Sequence, residues 1–63
     1  MTEEDMAVNF GRYLYQQRPS LVAEEVEERC EREAESLRVK DLAAFVNEAM
    51  SVYYSHRVTH GQA

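Results

Sequence analysis

Cys30 is the only cysteine in this 63-residue chain, which excludes an internal disulfide. A chain so short buries only about 60% of the surface that its unfolded form exposes. Domains of this size usually gain stability from disulfides, a metal or a partner subunit. The sequence has no CxxC motif and no cysteine–histidine cluster with zinc spacing. Oligomerisation is then the remaining source of additional stability. We therefore expect a homodimer in which two copies build one core, without metal or cofactor.

The composition is typical of a folded protein, with 44% hydrophobic and 30% charged residues. No apolar run approaches the roughly 18 residues of a membrane span. The acidic start, residues 1–5, is unlike a signal peptide. These features predict a cytoplasmic protein with no membrane contact. Because 63 residues rarely enclose a cleft, we do not expect an enzyme.

The charged residues are distributed unevenly along the chain. The net charge is -5, and seven of the twelve acidic residues lie between Glu24 and Glu35. Residues 6–23 contain no acid and carry Arg12 and Arg18. The simplest interpretation of the acidic middle is the solvated face of a helix. A docking surface for a basic partner is the alternative.

Two segments have the apolar spacing of amphipathic helices. An apolar stripe with spacings of three and four predicts a helix over residues 20–35, and a second stripe predicts one over residues 42–56. Asp41 is a good N-cap for the second helix. Residues 36–40 are predicted to form a tight turn with Leu37 or Val39 directed inward. The stripes comprise Val22, Val26, Cys30, Ala34 and Leu37, and then Leu42, Phe45, Val46, Ala49, Met50 and Tyr53.

The first 18 residues carry conflicting signals. Thr2 and Asp5 have the spacing of a capping box, and Met6, Phe10 and Leu14 have helical spacing. However, residues 9–18 contain three aromatic residues and a glycine, and Pro19 follows them directly. Aromatic residues favour strands, and the residue before proline avoids helical geometry. We predict a strand over residues 13–18.

The order of the predicted elements resembles that of the ribbon-helix-helix family of Arc-like and CopG-like repressors and antitoxins. These elements are a short strand, a helix started by Pro19, a tight turn and a second amphipathic helix. The resemblance is carried mainly by Asp41–Met50 and by Tyr53 and Tyr54. It implies a mainly α fold with one N-terminal strand and two helices, forming an intertwined homodimer. The domains would be an arm over 1–12, the ribbon-helix-helix unit over 13–57 and a tail over 58–63.

The resemblance also implies a function, that of a DNA-binding transcriptional repressor or of an antitoxin bound to a toxin protein. Two strands would pair into a ribbon that reads the major groove of double-stranded DNA. The strand's alternate residues would face the bases, and basic residues would contact phosphates. The implied DNA-binding residues are Arg12, Tyr13, Tyr15, Gln17, Arg18 and Lys40. The structural alternative for Tyr13 and Tyr15 is packing in a core.

Two other functions stay open at this stage. If α-helical, residues 7–17 resemble the RNA-facing stretch of Rop-like proteins, which are helical hairpins that dimerise and bind structured RNA. Asn9, Tyr13 and Gln17 would then share one helix face. The third possibility is an acidic protein-binding module that neutralises a basic partner through residues 24–35.

Overall fold

The structure is a computed structural model that describes residues 1–61, and within them it contains three helices and no strand. The helices are α1 (Glu3–Gln17), α2 (Ala23–Leu37) and α3 (Leu42–Gly61). Helix α3 packs along both α1 and α2, whereas α1 and α2 contact each other only weakly. The ribbon-helix-helix prediction is therefore wrong, and the intertwined ribbon dimer that depends on a paired strand is excluded with it.

Helix α1 covers the segment for which we predicted a strand. The Thr2 hydroxyl accepts a hydrogen bond from the Asp5 amide at 3.1 Å, and the Asp5 carboxylate accepts one from the Thr2 amide at 3.5 Å. This capping box starts a helix that continues through residues 13–17 and ends at Arg18, the C-cap. The segment 1–12, expected to be an arm, thus lies mostly inside α1.

Packing against α3 explains why the aromatic residues of α1 are helical. The Phe10 ring lies 6.4 Å from the ring of Phe45, and the Tyr15 ring lies 5.8 Å from that of Tyr53. The strand preference of aromatic side chains largely reflects packing on a half-buried surface. Because α3 offers such a surface to a helix, tertiary contacts outweigh the local preference for a strand.

Pro19 lies in the turn between α1 and α2 rather than in the first turn of α2. Arg18, which precedes it, has φ -141° and ψ 78°, outside the helical region as expected before proline. Helix α2 then starts at Ala23, three residues after the predicted start at residue 20. Its N-cap, Val22, makes no side-chain capping bond.

A tight turn joins α2 to α3 as predicted, but it begins later than residue 36 because α2 continues to Leu37. Arg38 adopts the left-handed conformation (φ 56°, ψ 44°), and the Val39 amide donates to the Ala34 carbonyl at 3.2 Å. Val39 is buried and Leu37 is exposed, so Val39 is the residue directed inward. The Asp41 carboxylate accepts a hydrogen bond from the Ala44 amide at 3.1 Å, which confirms Asp41 as a cap.

The core contains most of the residues that the helical stripes predicted. On α2, Val26, Cys30 and Ala34 are buried, whereas Val22 is exposed. Burial raises the pKa of the Cys30 thiol to about 11, and the negative charge of Glu31 adds to the shift. Helix α1 contributes Ala7 and Leu14 to the core. Helix α3 contributes Phe45, Val46, Ala49 and Tyr53.

The end of the chain is more helical than expected. Helix α3 extends to Gly61 and so includes residues that we assigned to a tail over 58–63, of which residues 62 and 63 lie outside the described residues. None of the helices described is both long enough and apolar enough to cross a membrane.

Candidate functional site

The residues predicted to bind DNA do not form one surface. Tyr13, Gln17 and Arg18 line a groove between α1 and α2, together with Arg29 and Arg32. The Tyr13 ring is 56% exposed, which argues against the core role that we considered for it. Tyr13 and Gln17 also share their exposed side of α1 with Asn9, the placement that the Rop-like alternative requires.

The other predicted DNA contacts lie elsewhere on the molecule. Arg12 lines a groove between α1 and α3. The Tyr15 ring packs on Tyr53 and stacks on His56 at 5.9 Å, so packing was the better interpretation of this residue. The Lys40 amide donates to the Glu3 carboxylate at 2.7 Å. This hydrogen bond places the backbone of Lys40 beside Glu3, at the start of α1. Arg18 caps the other end of the helix, so the two lie roughly 22 Å apart along its axis.

A groove between α2 and α3 combines negative charge with an apolar floor, and we call it the acidic groove. One wall carries three glutamates of α2 at intervals of four residues. The floor and the opposite wall come from the first turns of α3, where Leu42 is 45% exposed. The lining residues are Glu27, Glu31, Glu35, Leu42, Ala43, Val46 and Asn47.

The charges of this groove are not neutralised by the ion pairs of α2. Those ion pairs join Glu25 to Arg29 at 3.3 Å and Glu28 to Arg32 at 3.8 Å, and both match the spacing of four residues that favours such pairs on a helix. Neither pair includes a glutamate that lines the acidic groove. The groove therefore presents three carboxylates beside exposed apolar surface.

Another acidic pocket lies between the start of α1 and the first turns of α3, and two of its four carboxylates make structural hydrogen bonds. Its carboxylates are Glu3, Glu4, Asp41 and Glu48. Glu3 accepts the hydrogen bond from the Lys40 amide, and Asp41 caps α3. Among residues 1–59, whose side chains the structure describes, no three histidine, cysteine or acidic side chains converge to hold a metal ion.

Comparisons of this chain with protein-family models, curated proteins and solved structures found no match. The chemistry of its own surfaces therefore carries the functional proposal. Sequence reasoning located the acidic residues but missed the groove, because it assigned Leu42 and Val46 to the core alone. One sequence feature could have indicated the groove. Leu42 lies in the first turn of a predicted helix, where an apolar side chain has few neighbours from its own chain and tends to be exposed.

Proposed function

We propose that this protein is a binding module that takes a basic amphipathic helix of a partner protein into the acidic groove. The observation that carries this proposal is the alignment of Glu27, Glu31 and Glu35 beside the exposed apolar side chain of Leu42. A partner of matching chemistry has a narrow apolar stripe flanked by lysine or arginine. Docking of such a helix into a groove is a recurrent mode of peptide recognition.

The dimensions of the groove favour a helical ligand. Glu27 and Glu35 are eight residues apart, so their backbones are separated by about 12 Å, or slightly more than two helical turns. On the floor, Leu42 and Val46 are one turn apart on α3. Apolar side chains spaced by three or four residues on a ligand helix would contact this floor while its basic residues reach the glutamates.

Electrostatics supplies selectivity and speed of association more than affinity. Exposed ion pairs contribute only about 0.2–1 kcal/mol each. The larger effect of a complementary surface is to attract the correct partner and to repel wrong ones. A net charge of -5 extends this attraction beyond the groove and makes it sensitive to salt.

Charge also favours a protein partner over DNA or RNA. The basic and polar residues expected to contact DNA are divided among separate surfaces. In the α1–α2 groove, Arg29 and Arg32 pair with glutamates of α2, and Glu33 adds a further negative charge beside Arg18. A phosphate backbone requires several converging cations for useful affinity. We place the module in the cytoplasm, because its free, buried cysteine fits a compartment where disulfides are rare.

The test is a titration of the full chain with a synthetic peptide of about 18 residues, long enough to form a helix. Its sequence places leucine on one face and lysine on the others, and an otherwise identical peptide carries glutamate in place of lysine. We expect saturable binding of the lysine peptide, weakening with salt, and no binding of the glutamate peptide. Absence of lysine-peptide binding, or equal binding of both peptides, would contradict the proposal.

Two charge variants separate the groove from the overall charge. Glu27→Gln with Glu31→Gln removes two charges inside the groove, and Glu25→Gln with Glu28→Gln removes two on the same helix outside it. We expect the first pair to weaken binding by about tenfold, as for two lost exposed ion pairs. The second pair should have a small effect. Equal loss in both variants would indicate non-specific attraction to an acidic protein.

A further inference from the structure

A second apolar surface lies on the other side of α2, where α1 and α2 diverge, and we call it the α1 patch. Two of its large side chains are exposed, with Tyr13 at 56% and Leu37 at 41%. Met6 and Phe10 are half-buried beside them. The patch is lined by Met1, Met6, Asn9, Phe10, Tyr13, Glu33 and Leu37.

The charges along α1 change sign from its start to its end. The first turn carries Glu3, Glu4 and Asp5, whereas the only charged residue in the rest of the helix is Arg12. Asp5 and Arg12 are seven residues apart, so they lie on the same flank of the helix, beside the row formed by Met6, Asn9 and Tyr13. Both are exposed, and neither takes part in the two ion pairs on α2.

We propose that a second copy of this chain covers the α1 patch, with the two α1 helices antiparallel about a two-fold axis. In such an isologous contact, residue i of one copy meets residue j of the other, and j meets i. Asp5 of each copy then lies against Arg12 of the other. An antiparallel arrangement also sets the positive end of each helix dipole beside the negative end of its neighbour.

Self-complementarity is what selects a second copy over an unrelated partner. The row of Met6, Asn9 and Tyr13 has the alternating spacing of three and four that suits helix-on-helix packing. In a parallel pairing about a two-fold axis, the flanks that carry Asp5 and Arg12 lie on opposite sides of the interface and do not meet. The antiparallel pairing brings these flanks together and opposes unlike charges twice. Dimerisation also supplies the additional buried surface that a 63-residue chain without a disulfide lacks.

This interface and the acidic groove lie on different flanks of α2. Glu33 and Leu37 border the α1 patch, whereas Glu27, Glu31 and Glu35 border the acidic groove. The dimer therefore leaves both acidic grooves open. The proposal consequently does not depend on the function of the acidic groove, and each can fail without the other.

The first experiment is sedimentation equilibrium of the full chain over a range of concentrations. We expect a monomer–dimer equilibrium, accompanied by a melting temperature that rises with concentration. Because Asp5 lies against Arg12 of the other copy, the centre of the interface falls at residues 6–9. Asn9→Lys places two like charges there and should weaken dimerisation by at least about tenfold. Ser51→Lys, on an exposed position of α3, is the matched control and should leave dimerisation unchanged.

The decisive variants exchange the two charges. Asp5→Arg and Arg12→Asp should each weaken the homodimer, because like charges then oppose each other. Mixing the two variants should restore a dimer containing one copy of each, which loss of the Asp5 cap or of overall stability could not produce. A wild-type chain that stays monomeric, a dimer insensitive to Asn9→Lys, or a mixture that fails to associate would overturn the proposal.

Discussion

The Tyr53 hydroxyl donates a hydrogen bond to the carbonyl of Arg18 and joins α3 to the end of α1. The same hydroxyl accepts a hydrogen bond from the Leu21 amide at 3.1 Å, and the Arg57 guanidinium donates to the Leu21 carbonyl at 3.0 Å. Two side chains of α3 thus satisfy backbone groups in the turn around Pro19. This turn sets the angle between α1 and α2, and so the shape of the α1 patch.

Tyr53→Phe should destabilise the fold by about 1–3 kcal/mol, because a part-buried carbonyl and amide lose their hydrogen-bond partner. The neighbouring residue provides the control. The Tyr54 hydroxyl is buried without a hydrogen-bond partner among the described residues, so Tyr54→Phe should be neutral or stabilising. Urea denaturation of both variants measures the difference, and equal losses would contradict the assigned role of Tyr53.

Gly11→Ala should destabilise the protein, although alanine normally favours a helix. A Cβ at this position would lie 2.5 Å from the Ala49 carbonyl oxygen and 2.8 Å from the Val52 Cβ, so α1 and α3 would have to separate. Overpacking of this kind costs about 1–3 kcal/mol. Gln16→Ala, at an exposed position of α1, is the control and should change thermal stability little. A more stable Gly11→Ala variant would argue against this close helix packing.

Arg38→Gly should stabilise the turn between α2 and α3. Arg38 has a positive φ of 56°, a conformation that costs a residue with a Cβ about 1–2 kcal/mol but not glycine. Part of this gain is lost to the greater flexibility of unfolded glycine, so we expect about 0.5–1 kcal/mol. Arg38→Ala keeps the Cβ and serves as the control in thermal denaturation. If both variants were more stable than the wild type, the cause would be removal of the arginine charge rather than relief of the backbone conformation.

Raising the pH should destabilise the fold through Cys30. Burial first, and the Glu31 charge second, raise the pKa of this thiol from 9.0 to about 11. The folded state therefore holds the proton more tightly than the unfolded state, and stability falls as the pH rises from about 9 through 11. Cys30→Ala removes this contribution, so its stability should decline less steeply over that range. Identical slopes for the two proteins would contradict a buried neutral thiol.

The second and third helices could be predicted from sequence because apolar periodicity is clear there, although the predicted bounds, 20–35 and 42–56, miss the start of α2 and the ends of both helices. Cys30 falls on the apolar stripe of α2, and Asp41 stands where a cap is needed. The first helix could not be assigned in the same way. Its aromatic residues favour a strand locally, and only the surface of α3, which is distant in sequence, makes the helix the better packed state.

The candidate site was less predictable than the fold. The acidic residues of α2 are evident in the sequence, but periodicity does not reveal which of them border α3. Glu31 lines the groove, whereas Glu28 pairs with Arg32. That distinction depends on the rotation of α2 against α3, which the packing of Val26, Cys30 and Ala34 determines. The residues predicted to bind DNA lie only partly together, because their expected arrangement assumed the alternating geometry of a strand, whereas α1 is a helix.

The most direct test of the proposed function is to map the bound lysine–leucine peptide by NMR on the ¹⁵N-labelled chain. We expect the largest amide shifts along the acidic groove, at Glu31, Ala43 and Asn47, and little change at Asn9 and Tyr13 of the α1 patch. Glu27→Gln with Glu31→Gln should reduce these shifts at equal peptide concentration. Shifts centred on the α1 patch, or spread evenly over the surface, would contradict binding in the acidic groove.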